Sequence, residues 1–127
     1  MGRDPHDPPQ GPDDLAGWET QLRKGALSLA VLAILWRGRL YGLEILKRLD
    51  ADAGLSISEG AIYPLLNRMK SEGLVAAEWV EADAGHPRKY YSLTEPGRRR
   101  ARDMAAGWRA FASGVNRLLT PMDGDPS

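Results

Sequence analysis

Residues 54–75 read Gly-Leu-Ser-Ile-Ser-Glu-Gly-Ala-Ile-Tyr-Pro-Leu-Leu-Asn-Arg-Met-Lys-Ser-Glu-Gly-Leu-Val. Ile62, Leu65, Leu66 and Met69 recur at helical spacing and share one face. Gly60, Tyr63, Pro64, Asn67 and Ser71 fall on the opposite face, with Arg68 at its edge. Ser58 is placed to cap the helix, because its hydroxyl can accept from a free backbone N–H of the first turn. Gly73 is placed to end it in the left-handed conformation. Pro64 sits deeper than the first-turn position that proline favours, so it removes one helical hydrogen bond. The cost is small if the freed Gly60 carbonyl faces water or a ligand.

Downstream the period changes from 3.6 to 2. Val75, Ala77 and Trp79 alternate with Ala76, Glu78 and Val80, the pattern of a half-buried strand with its first set inward. Tyr91 and Leu93 alternate with Tyr90 and Ser92 in the same way. Between them Glu81 to Pro87 reads as a loop, with Gly85 and Pro87 as turn formers. Arg88 and Lys89 are expected where the hairpin leaves its tip, either as solvated loop charges or as a phosphate or minor-groove contact.

Upstream, Tyr41 to Asp52 forms a helix with Ile45, Leu46 and Leu49 inward and Glu44, Lys47 and Arg48 outward. Ala53-Gly54 breaks it and Leu55-Ser56-Ile57 leads into the next helix. Arg37-Gly38-Arg39 reads as a turn, and Gly25 to Trp36 as a helix apolar on nearly all sides, extendable upstream through Trp18, Leu22, Arg23 and Lys24. That run is far short of the roughly 20 apolar residues that span a bilayer. Two helices at this spacing followed by a hairpin match a winged helix-turn-helix, in which the second helix enters the major groove. The fold class expected is mainly α with a small β-hairpin, completed by a coiled-coil-like C-terminal helix.

That last helix is expected over 94–119, capped by Thr94 and with Pro96 in its first turn. Ala101, Met104, Trp108, Phe111, Val115 and Leu118 follow at alternating steps of three and four, a heptad seam. Ala105, Ala112 and Leu119 widen it. One helix cannot bury such a seam alone. Either it packs on the Gly25–Trp36 helix of its own chain, or it pairs with a second copy. Pairing is the expectation, because both helices carry more apolar surface than one small unit can cover. Leu22 and Leu29 would join the dimer contact from the first helix. Thr120-Pro121 is expected to end the helix, leaving 120–127 as a flexible tail.

Composition sets the outer limits. At 127 residues the chain has room for one domain with a modest core. With no cysteine it forms neither disulfides nor thiolate metal sites, which suits a reducing, cytoplasmic setting. Net charge is zero, so any nucleic-acid affinity depends on distribution. Residues 1–17 carry four aspartates against one arginine, while 94–127 carry six cations against four anions, with Arg98, Arg99, Arg100 and Arg102 clustered. The arm 1–17, with Pro5, Pro8, Pro9 and Pro12, is too poor in large apolar residues to order itself and is expected to be disordered. It lacks the basic start and apolar core of a secretory signal. His6 in this arm and His86 in the loop have no metal-ligand partners at useful spacing.

Taken together, Leu40-Tyr41-Gly42, the run from Leu55 through Leu66, Glu72-Gly73-Leu74-Val75 and the run from Arg88 through Gly97 resemble the PadR family of transcriptional regulators. The resemblance covers roughly residues 22 to 119, and the single C-terminal helix is similar to the shorter of the family's two subfamilies. It implies a homodimer, usually a repressor, that leaves operator DNA in response to a small molecule. It also implies that the aromatic at Trp108 lies at the dimer centre and can stack a flat ligand, within a pocket drawn from Trp18, Leu22, Met104, Trp108 and Phe111. The long acidic arm departs from the family pattern.

On that reading Ser56, Ser58, Tyr63, Asn67, Arg68 and Lys70 approach the major groove. Asn67 and Arg68 suit base reading, since amide and guanidinium forks pair bidentately with adenine and guanine. Arg88 and Lys89 hold backbone or minor groove, and Lys24 and Tyr41 add phosphate contacts at helix starts. A twofold pair predicts an inverted-repeat operator. As an enzyme the chain reads poorly: no carboxylate pair has a partner base, and no serine outside the loop has a nearby histidine. No cofactor or metal is expected. The rival reading is a small-molecule sensor or interaction module of the same fold that does not bind DNA.

Overall fold

A computed structural model describes residues 14–81 and 85–124. The elements run α1 (Asp14–Ile34), a one-turn 3-10 helix (Leu35–Arg37), β1 (Leu40–Tyr41), α2 (Gly42–Ala53), α3 (Glu59–Ser71), β2 (Val75–Glu81), β3 (Pro87–Leu93) and α4 (Glu95–Asp123). Four helices and an antiparallel sheet of order β1-β3-β2 enclose one core, from which the ends of α1 and α4 project. Val31, Leu32 and Leu35 enter that core from α1 and its following turn, Ile45 and Leu49 from α2, and Ile62, Leu66 and Met69 from α3. Tyr91 closes it from the sheet and Ala101 from α4. Each fully buried aliphatic side chain contributes roughly 1.5–3 kcal/mol of transfer free energy.

Local chemistry sets the borders of α3. Ser58 is extended, and its hydroxyl accepts from the Ala61 N–H at 3.2 Å. At the other end Gly73 takes φ of 77°, its N–H bonds the Lys70 carbonyl and the Leu74 N–H bonds the Met69 carbonyl. That pair of bonds is the Schellman arrangement, with Leu74 and Met69 both buried across it. Pro64 stays inside the helix with its ring exposed, so the freed Gly60 carbonyl faces solvent. Thr94 caps α4 by accepting from the Gly97 N–H at 3.0 Å.

The same threonine ties α4 to the end of α3. Its hydroxyl donates to the Gly73 carbonyl at 2.6 Å and its N–H to the Leu74 carbonyl at 3.1 Å. Gly97 is buried against that segment, and a Cβ on it would collide with the Leu74 carbonyl.

Several borders differ from the sequence reading. The hairpin is part of a three-stranded sheet, because Leu40 pairs with Tyr91 and Tyr41 with Tyr90. A two-residue strand has no periodicity of its own and forms only because β3 offers an edge. Helix α1 begins at Asp14, so 14–17 are helical and not part of a disordered arm; the rest of that expectation, residues 1–13, lies outside the described residues. Helix α4 runs past Thr120-Pro121 to Asp123. Pro121 removes one bond in an exposed last turn, where the Arg117 carbonyl can turn to water. Of the expected tail, 125–127 lie outside the described residues.

A candidate DNA-binding face between α3 and the wing

The exposed side of α3 and the inner edge of the hairpin enclose a groove of about 400 Å³. Tyr63 and Asn67 form the α3 wall, Tyr41 and Gly42 close the end, and Trp79, Arg88 and Lys89 form the wing wall. The helix can present these groups because its other side is used by Ile62, Leu65, Leu66 and Met69. Tyr63 lies so close to the start of α2 that a Cβ on Gly42 would strike its phenol.

Arg88 and Lys89 are not loop charges at a tip. They belong to β3, with Arg88 opposite Val80 and Lys89 opposite Trp79, and so point to opposite faces of the hairpin. The Arg88 guanidinium lies 4.6 Å from the Tyr41 ring centroid. Tyr41 meets Tyr90 edge to face at 5.5 Å, and Arg39 lies 4.9 Å over Tyr90. Arg39 also pairs with Glu78 at 2.8 Å, an exposed contact worth at most about 1 kcal/mol. The Lys89 ammonium is 5.9 Å from both Trp79 and Tyr91. Aromatic faces thus lie beside Arg88 and Lys89, which among the described residues make no ion pair, and an aromatic face does not cancel the charge that phosphate would meet. Burial pushes the Tyr91 phenol above its ordinary value, and neighbouring Tyr63 adds to the shift.

Other residues expected at the DNA are distributed differently. Ser58 uses its hydroxyl oxygen in the α3 cap. Ser56 is exposed just before α3 and Lys70 in its last turn, both outside the groove. Arg68 is exposed on the other flank, where it lines a pocket with Glu72 at the end of α3, Ser28 of α1 and Arg100 and Met104 of α4. Lys24 is exposed on α1 away from the groove. Trp79 was not singled out as a contact. Its alternation with Val75 and Ala77 argues for burial, yet it is 68% exposed, because the hairpin outruns the core beneath it. An aromatic residue opposite Lys89 in the wing was the available signal.

The residues expected at a dimer contact follow a gradient. Ala101 is in the core of its own chain, so it cannot form part of an open seam. Met104 is half-buried against the core, and Leu29 is half-buried on α1. Farther along α4, Trp108, Phe111 and Leu118 are exposed, with Val115 half-buried. On α1, Leu15, Trp18 and Leu22 are exposed at steps of three and four. Intramolecular packing on α1 therefore accounts for the first turns of α4 and stops there. The expected pocket of Trp18, Leu22, Met104, Trp108 and Phe111 is not assembled within one chain: Met104 lines the Arg68 flank, while Trp18 is 61% and Phe111 68% exposed.

A helix-turn-helix whose second helix faces a cation-bearing β-hairpin is a winged-helix DNA-binding protein. Residues 31–103 match the transcriptional regulator PadR-like family. The chain is similar to a PadR family transcriptional regulator from Eggerthella lenta DSM 2243, at 40% identity over 84% of this chain and 89% of that one, with a TM-score of 0.71. It is also similar to a PadR-like transcriptional regulator from Bacillus cereus strain ATCC 14579, at 33% identity, 83% and 99% coverage and a TM-score of 0.73. A PadR family transcription regulator from Clostridium difficile R20291 aligns at 29% identity, 74% and 98% coverage and a TM-score of 0.68. No curated protein matches the chain. The chain belongs to the PadR-like family and is a DNA-binding transcriptional regulator. Among the described residues no helix is long and apolar enough to cross a membrane.

Proposed function

We propose that the protein acts as a homodimeric repressor of an inverted-repeat operator, released by a small apolar or aromatic ligand. What supports this is the presence in one chain of two surfaces that need different partners. One is the α3–wing groove, whose Arg88 and Lys89 make no ion pair among the described residues; the other is the pair of apolar ridges on the free ends of α1 and α4. Leu15, Trp18 and Leu22 on one ridge and Trp108, Phe111, Val115 and Leu118 on the other have the same three-four spacing, so α1 of one copy can lie along α4 of the next. A twofold arrangement presents two α3 helices to successive major grooves. Met104, Trp108 and Phe111 from both copies would then wall an apolar slot for a flat ligand, with Trp18 or Leu22 at its mouth.

In the groove, Asn67 reads base edges, Tyr63 and Tyr41 contact phosphate, and Arg88 and Lys89 hold the backbone on the wing side. A ligand in the slot changes the angle between the two α4 helices and with it the separation of the reading heads. The test combines mass in solution with binding to DNA from upstream of the protein's own gene at two salt concentrations. A twofold mass and a salt-sensitive shift are expected. A single-chain mass overturns the pairing. A dimer that quenches its tryptophan fluorescence with ligand but ignores the DNA even at low salt overturns operator binding and leaves a sensor.

A further inference from the structure

The inner face of the hairpin runs without a break from the core into the α3–wing groove. Along β2, Val75 is buried, Ala77 is half-buried and Trp79 is 68% exposed. Their partners on β3 are Leu93, Tyr91 and Lys89 in the same order. Trp79 therefore stands where this face leaves the core, and it lines the groove together with Lys89, Tyr63 and Asn67. It is the most exposed aromatic ring there, since Tyr63 is 37% and Tyr91 2% exposed. The Lys89 ammonium sits 5.9 Å from the Trp79 ring and 5.9 Å from the Tyr91 ring. Trp79 lies on β2 and not on the α1 and α4 ridges, so the proposed pairing of two copies does not use it.

We propose that Trp79 is a DNA-contacting residue whose indole lies flat against one deoxyribose of the strand that passes between α3 and the wing. With α3 in a major groove and the wing at the neighbouring minor groove, one sugar–phosphate strand separates the two and crosses the space between helix and hairpin. That space is the groove of about 400 Å³. Val80 and Glu81 of β2 lie beyond Trp79 toward the hairpin tip, so the ring sits beside the strand and not in a wedge position. Lys89 and Trp79 then act in different ways on the same nucleotide. A cation on phosphate releases counterions and weakens with salt, whereas an indole on a sugar removes C–H surface from water and does not. Deoxyribose is apolar at C2′; ribose carries a hydroxyl there, which loses water against the ring at a cost in affinity. Trp79 thus gives the interface a salt-independent component and a preference for deoxyribose at one nucleotide of each half-site. This assignment rests on the operator reading.

The test measures binding to the shortest duplex, taken from upstream of the protein's own gene, that the wild type holds, at several salt concentrations. Trp79→Ala should weaken binding roughly tenfold or more over two half-sites, with an unchanged salt slope. Trp79→Phe should recover most of that loss. Single ribonucleotides are then placed in turn along one strand of a half-site. At one position the ribose should weaken the wild type severalfold more than it weakens Trp79→Ala, the coupling expected of groups in contact. Full-length protein carrying 5-fluorotryptophan covers the case in which the alanine variant fails to fold. Its Trp79 fluorine signal, assigned through Trp79→Phe, should move when the duplex is added. A salt slope reduced as far as in Lys89→Ala overturns the proposal, because the indole then only positions the lysine. An unmoved Trp79 signal, or no coupled ribose at any position, overturns it as well. If the wild type itself ignores the duplex, the operator reading falls too. Wild-type binding that Trp79→Ala leaves unchanged removes the sugar contact alone.

Discussion

The molecule has a closed half and an open half, built from the same two long helices. In the closed half, the end of α1 and the start of α4 are packed: Val31, Leu32 and Leu35 are buried, as is Ala101. In the open half, the same helices carry Trp18, Leu22, Trp108, Phe111 and Leu118 into solvent, with Leu118 77% exposed. Helix α1 has 21 residues and α4 has 29, so they extend roughly 30 Å and 43 Å, well beyond what the core can cover. The heptad spacing on α4 does not change along its length. What changes is whether a neighbour from the same chain exists at that height. Periodicity therefore specifies a sticky stripe, and the length of the partner helix decides which part of it is intramolecular.

The contrast can be broken most severely at the open end. On the proposed pairing of the open ridges, Trp108→Asp with Phe111→Asp should leave the head folded but give a single-chain mass, lowering operator affinity more than a hundredfold through loss of linked half-sites. Sedimentation and fluorescence anisotropy would read this, and a double variant that kept twice the chain mass would remove the distinction between the halves. Glycines sharpen it next. Gly97→Ala, in the closed half, drives a methyl into the Leu74 carbonyl and should cost about 2 kcal/mol, lowering Tm by roughly 7–9 °C. Gly107→Ala, on the same helix with open space around it, should be neutral or stabilise by up to about 1 kcal/mol. Equal melting shifts would contradict the packing described.

Smaller effects separate the reading groove from the core behind it. Arg88→Ala should weaken DNA binding at least roughly tenfold and reduce the salt slope by about two, one for each half-site of the proposed pair, with little change in Tm. Tyr91→Phe should act in the opposite way, sparing DNA contacts and altering only alkaline stability. The Tyr91 phenol is raised in the fold, so its neutral form stabilises fully below the unfolded value near pH 10, and that contribution is lost as pH rises through the folded value. The wild type should therefore lose stability above about pH 10 more steeply than the variant in denaturant titrations.

The parts legible in the sequence were those with local causes. The Ser58 and Thr94 caps, the Gly73 stop and the inward face of Ile62, Leu65, Leu66 and Met69 each depend on residues within a turn or two. The parts that were not legible depend on distant chain. Leu40–Tyr41 is a strand only because Tyr90 and Tyr91 lie beside it. Trp79 obeys the inward alternation of its strand and still ends in solvent, because no core extends that far. Of the DNA candidates, Tyr41, Tyr63, Asn67, Arg88 and Lys89 converge on one groove, while Arg68 turns to the other flank.

Thr94 closes α3 and opens α4 with one side chain, and Gly97 lets the two segments touch without a spacer. Those bonds and that close approach couple the long helix directly to the end of the base-reading element, as a shaft is keyed to a wheel. Turning its far end turns the reader by the same amount. In the proposed pair, the register of the two readers would then be set along α4 beyond residue 104, more than about 14 Å from the start of the helix. Operator spacing and letter recognition can thus be altered independently, the first by exchanging the shaft's tail and the second by editing the groove.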